Sequence, residues 1–116
     1  MINIIKEIKE ETGIDVERNQ DNVISHKDIL ALGEPIMPSP GGCDEGIQLF
    51  FLRKTMTTAQ IRTILDKEHG EANEHEHIIL HLHPEQRVAE FIMKIGDVKA
   101  ECAYNRICLL RQNGRL

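Results

Sequence analysis

Glu7, Glu10 and Glu11 stand three and four residues apart, a spacing that places their carboxylates on one side of a helix within reach of a shared ion. Three like charges so placed suit a hard divalent cation such as Mg²⁺, which takes oxygen ligands. The same spacing also suits a solvated acidic face, with Lys6 and Lys9 interleaved. Glu10 and Glu11 lie toward the negative end of that helix, which is mildly unfavourable, and a cation would reverse the sign. A second cluster, Met37 to Glu45, is rich in Pro and Gly. Gly41 and Gly42 allow close backbone approach to a ligand, while Pro38 and Pro40 stiffen the loop that carries Glu45. A third acidic group, Glu71, Glu74 and Glu76, falls in a polar stretch that reads by itself as loop surface. His75, His77, His81 and His83 form two H-x-H pairs, which on a strand would put both rings of a pair on one face, as some zinc sites require. No cysteine accompanies them at a familiar zinc spacing, so surface or partly buried histidines are the preferred reading.

These residues must be positioned by the elements around them. Ile4, Ile5 and Ile8 fall at helical spacing and predict a helix from Met1 to about Thr12, stopped by Gly13. Asp15 to Lys27 reads as a polar loop, and His26 to Leu32 as a strand ending at Gly33. Residues 33–42 are dense in Gly and Pro and predict a long ordered loop, the kind of segment that carries function. Ile47 to Leu52 suits a buried strand. Ile61, Ile64 and Leu65 predict a helix over Thr57 to Lys67, with Thr57 or Thr58 as N-cap. Gly70 to His77 reads as loop and His77 to His83 as strand. Pro84 suits the first turn of a helix to about Lys94, and Gly96-Asp97 separates it from a last helix, Val98 to about Gln112. This order implies an α/β layer fold.

The 116 residues suit one domain or a piece of one, and 41% hydrophobic with 28% charged residues is too apolar for disorder. A net charge of −5 argues against phosphate-backbone binding to nucleic acid, which needs a basic stripe. The N-terminal stretch offers no apolar run long enough for a membrane span. Cys43, Cys102 and Cys108 have no C-x-x-C spacing, so reduced thiols in a cytoplasmic compartment are expected.

The residues from Lys6 to Ile14 resemble the second half of the Nudix box, R-E-U-x-E-E-x-G-U with U a bulky aliphatic residue; Lys6 stands where the family usually has Arg. Ser39-Pro40-Gly41-Gly42-Cys43-Asp44-Glu45 resembles the SPGG-x-[SD]-E segment of Nudix enzymes that cleave ADP-ribose and ADP- or UDP-sugars. The acidic stretch Glu71 to Leu82 and Lys94-Ile95-Gly96-Asp97-Val98-Lys99 match the family in the same order. The long spacing from Gly13 to Pro40 is closer to the plant ADP-sugar diphosphatase branch.

The resemblance implies a partial Nudix fold, an α/β/α sandwich with a mixed sheet, in which residues 1–116 are the C-terminal part of a single domain that begins inside the catalytic helix and lacks the N-terminal strands. It implies hydrolysis of a nucleoside diphosphate sugar (ADP-ribose, ADP-glucose or UDP-glucose) with Mg²⁺, or Mn²⁺, as cofactor, in a homodimer. Glu7 and Glu11 are the implied metal ligands, with Glu10 a further ligand or a partner behind them. Pro40, Gly41, Gly42 and Glu45 are assigned to substrate. Glu74, or Glu76 beside it, is the implied general base. The contrasting expectation is a catalytically incomplete fragment that serves as a binding module.

Overall fold

The computed structural model describes residues 2–16, 29–39, 41–42, 45–70, 73 and 75–116. They fall into two compact units, one formed by Met1–Ser25 with Lys54–Leu82, the other by His26–Arg53 with His83–Leu116.

The first unit is built on helix α1 (Ile2–Thr12), whose Ile4, Ile5 and Ile8 are half-buried. The Gly13 N–H donates to the Lys9 carbonyl at 2.8 Å, and Gly13 takes φ +74°, which closes the helix as its sequence position predicts. Helix α2 (Thr58–Leu65) starts on a reciprocal cap: Gln60 N–H donates to Thr57 Oγ1 at 3.2 Å, and Thr57 N–H to Gln60 Oε1 at 2.9 Å. A short antiparallel hairpin follows, Glu68–His69 pairing with Ile78–Ile79, with Glu68 opposite Ile79 and His69 opposite Ile78. The strand expected over His77 to His83 is thus only two residues long, because its partner offers only two pairing positions. An apolar cavity of about 220 Å³ in this unit is lined in part by Ile14, Met56, Ile61, Leu80 and Leu82.

In the second unit Ile29–Ala31 pairs antiparallel with Phe50–Leu52, Ile29 facing Leu52 and Ala31 facing Phe50. The ladder continues as the Leu32 N–H donates to the Leu49 carbonyl at 2.8 Å and Ile36 bridges Ile47. Ile29, Leu32 and Leu49 are buried there, Leu32 completely. Helix α3 (Val88–Ile95) is preceded by a 3-10 turn, Glu85–Arg87. Pro84 has extended backbone and accepts from the Arg87 N–H at 2.9 Å, so the chain turns in 3-10 fashion before the α-helix begins, later than the sequence predicts. Gly96 at φ +71° ends α3, and Asp97 caps helix α4 (Val98–Gln112) by accepting from the Lys99 N–H at 2.8 Å. Helix α4 packs on α3 and on the Phe50–Leu52 strand.

This mixture of helices and small antiparallel sheets is compatible with an α/β fold. Among the described residues the strands form two separate two-stranded antiparallel ladders, where the sequence predicts a mixed sheet. No helix among them is long and apolar enough to cross a membrane.

Candidate functional site

Helix α1 carries the expected carboxylates on adjoining turns. Glu7 and Glu11 are exposed; Glu10 is half-buried and pairs with Lys6 at 3.5 Å. Lys9 is drawn away from them into a hydrogen-bonded pair with Asp15, which holds the Asp15 carboxyl below its ordinary value. A fourth carboxylate reaches this group from the hairpin. Partial loss of solvent around its carboxyl raises the pKa of Glu11 above its ordinary 4.5, and the charges of Glu7, Glu76 and Glu10 add to the rise in that order. Glu76 is therefore part of the same electrostatic cluster. Glu74 and Glu71 lie outside the described residues, as does Pro40.

The donor set fits a hard divalent cation in its chemistry, because every donor is a carboxylate oxygen and the repulsion felt at Glu11 is what a positive ion would relieve. Among the described residues, however, no three histidine, cysteine, aspartate or glutamate side chains converge to hold a metal ion.

That repulsion has a measurable sign. A carboxyl whose folded pKa is raised contributes stability below its unfolded pKa, and the contribution is lost as pH rises through the folded value. In chelator, Glu11→Gln should therefore melt above the parent at pH 7 and level with it below pH 4.5, the ordinary value for Glu11. A like-charge i,i+4 pair costs about 0.2–0.5 kcal/mol, less where water screens it, so the expected rise in Tm is about 1–3 °C. A variant melting below the parent at pH 7 would mean that Glu11 is held by a favourable contact instead.

The second unit carries the Pro- and Gly-rich segment. Gly41 takes φ +86° with open space where a side chain would stand, and a Cβ at Gly42 would lie 2.9 Å from Ser39 Oγ, so this turn is made for glycine. The Gly42 N–H donates to the Ser39 carbonyl at 3.0 Å, and Glu45 is exposed. The start of the loop is tied to α4 by Arg106, whose Nη1 donates to the Leu32 carbonyl and, at 2.6 Å, to that of Glu34. Gln48 Nε2 holds the Gly33 carbonyl from the other side at 2.9 Å. Sequence reasoning does not single out Arg106, because its partners are more than seventy residues away and are backbone atoms.

The histidines do not form the rival zinc site among the described residues. His77 Nδ1 is paired with Glu68 across the hairpin, His75 takes φ +57°, and His81 is exposed. In the other unit His83 stacks on Phe91, ring centroids 3.8 Å apart.

A helix bearing three carboxylates on adjoining turns, with a fourth near them from a hairpin, is the acidic cluster that these residues form. No protein-family model matches the chain, and no solved structure matches it. Among curated proteins it is 33% identical over 103 residues to Nudix hydrolase 14, chloroplastic, of Arabidopsis thaliana, an alignment covering 79% of this chain and 32% of that protein. The chain thus spans about a third of the length of the curated relative it matches. This likeness supports the Nudix family.

Proposed function

We propose that residues 1–116 are part of a single Nudix domain that hydrolyses the pyrophosphate of a nucleoside diphosphate sugar: ADP-ribose, ADP-glucose or UDP-glucose. The observation that carries this reading is the likeness to a Nudix hydrolase together with the placing of Glu7, Glu10 and Glu11 on adjoining turns of α1. Bound Mg²⁺ or Mn²⁺ would neutralise phosphate charge and lower the pKa of attacking water. Glu7 and Glu11 would hold it, and Glu10, which pairs with Lys6, would be a further ligand or support them. Glu74, or Glu76 two residues after it, would take the proton as water oxygen bonds to one phosphorus and the P–O–P bridge breaks, leaving a nucleoside monophosphate and a sugar phosphate. Pro40, Gly41 and Gly42 supply backbone close to the substrate, and Glu45 a polar contact to it. A homodimer in the cytoplasm, with no nucleic acid or membrane as partner, completes the proposal.

A second reading is a catalytically incomplete Nudix fragment that serves as a non-enzymatic binding or interaction module. The two separate in one assay. Nucleoside monophosphate release from ADP-ribose, ADP-glucose and UDP-glucose is followed with Mg²⁺, with Mn²⁺ and with chelator. Metal-dependent release from at least one supports hydrolysis; calorimetric binding of a nucleotide sugar without release under any condition supports the module.

A further inference from the structure

Three successive carbonyls at the entry to the Pro- and Gly-rich loop are each held by a side chain. Arg106, midway along α4, aims a single guanidinium nitrogen, Nη1, between two of them: it donates to the Leu32 carbonyl and, at 2.6 Å, to that of Glu34. Gln48 Nε2 takes the carbonyl between, that of Gly33, at 2.9 Å, and donates also to the Leu49 carbonyl at 3.0 Å. Gly33 makes room for this grip, since its φ is +72° and a Cβ there would lie 3.3 Å from Arg106 Nη1. Just beyond, Ile36 and Ile47 exchange both backbone hydrogen bonds at 2.8 Å, and a Cβ on Gly46 would stand 3.3 Å from Pro35 Cβ. The loop that carries Gly41, Gly42 and Glu45 therefore leaves from a base fixed both to α4 and to its own returning segment.

We infer that Arg106 and Gln48 are positioning residues for the substrate loop: by fixing the carbonyls of Leu32, Gly33 and Glu34 they keep the loop in its binding form before a ligand arrives, and so set the affinity for the nucleotide sugar without touching it. The inference rests on the proposal that Gly41, Gly42 and Glu45 contact that substrate, and it is independent of how the α1 carboxylates act. A loop already held adds little ordering cost on binding. A released loop binds only for the fraction of time it spends in the right form, and saturating substrate draws it back to that form. Loss of the hold is therefore felt in KM rather than in kcat.

The test compares the full chain with Arg106→Met, Arg106→Lys and Gln48→Leu on ADP-ribose, ADP-glucose and UDP-glucose in Mg²⁺, reading KM and kcat, or the calorimetric Kd where the chain binds without turnover. Arg106→Met should raise KM or Kd about 10-fold, which corresponds to a loop in its binding form about a tenth of the time, and leave kcat within about twofold. Arg106→Lys should stay within about threefold of the parent, because an ammonium has three donors and can serve the two carbonyls that Nη1 serves. Amide exchange reads the hold itself: in Arg106→Met the Ile36 and Ile47 N–H groups should exchange at least about tenfold faster, while those of Ile29–Ala31 keep the parent's rate within about threefold. Unchanged affinity in Arg106→Met, or a loss confined to kcat, would overturn the inference, as would equal losses in Arg106→Met and Arg106→Lys. A parent chain that binds none of the three nucleotide sugars overturns the assignment of the loop to substrate and the inference with it, a result distinct from a parent that binds and a variant that binds as well. Should Arg106→Met fail to fold, Gln48→Leu decides: it frees only the carbonyls of Gly33 and Leu49 and should raise KM or Kd at least about threefold with kcat kept, and an unchanged value would overturn the role.

Discussion

Glu11→Gln is expected to lower hydrolysis of the preferred nucleotide sugar by about 10²- to 10³-fold at saturating Mg²⁺, the rate equivalent of a few kcal/mol of lost charge stabilisation. The reason is position. Glu11 is the carboxylate on which the charges of Glu7, Glu76 and Glu10 converge, so an ion that relieves the cluster gains most there. Glu10→Gln should cost less, because Lys6 already neutralises Glu10 in part at 3.5 Å. In chelator the same Glu11 substitution should leave the fold intact and slightly stabilised. Loss of turnover combined with a gain in stability is the mark of a residue kept for chemistry at the expense of the fold. Steady-state rates for both variants across a Mg²⁺ titration make the comparison. Equal rates for parent and Glu11→Gln would remove Glu11 from the site.

The local features of this chain were readable in its sequence. Ile4, Ile5 and Ile8 with Gly13 give α1 its face and its stop; Thr57 and Gln60 mark the start of α2; Gly96 and Asp97 end one helix and cap the next. Each is a contact between residues no more than four apart. What escaped depends on partners far along the chain. Glu68–His69 has no strand periodicity and exists only because Ile78–Ile79 pairs with it. Gly70 looks like an ordinary loop glycine until the closeness of Glu76 is known. Arg106 sits among the helix-forming residues of α4, and nothing near it in sequence shows that it holds the carbonyls of Leu32 and Glu34. For the site, the helix carboxylates were legible from their spacing, while the approach of Glu76 to Glu11 is a product of the hairpin.

Leu32→Ala should be the most damaging single substitution to stability, lowering Tm by roughly 10–20 °C, as expected for a loss of about 2–5 kcal/mol in a domain of this size. Leu32 is fully buried, and among the described residues of its unit only Ile29 and Leu49 join it in the buried apolar set. A core this thin leaves few neighbours to collapse into the space of the lost side chain, so the cavity term is felt nearly in full. The backbone at Leu32 also has two ties that a weakened core would strain: its N–H donates to the Leu49 carbonyl at 2.8 Å, and its carbonyl accepts from Arg106. Immediately after it begins the loop that carries Gly41, Gly42 and Glu45, so a shift at Leu32 is passed into the segment assigned to substrate. Thermal melts followed by circular dichroism measure the first effect. The second is read from KM, which should rise for the nucleotide sugar at a temperature where Leu32→Ala is still folded, while Mn²⁺ affinity at the α1 carboxylates stays as in the parent. A melt within about 3 °C of the parent would show that Leu32 does not anchor this unit, and an equal loss of Mn²⁺ affinity would show that the damage is global rather than confined to the loop.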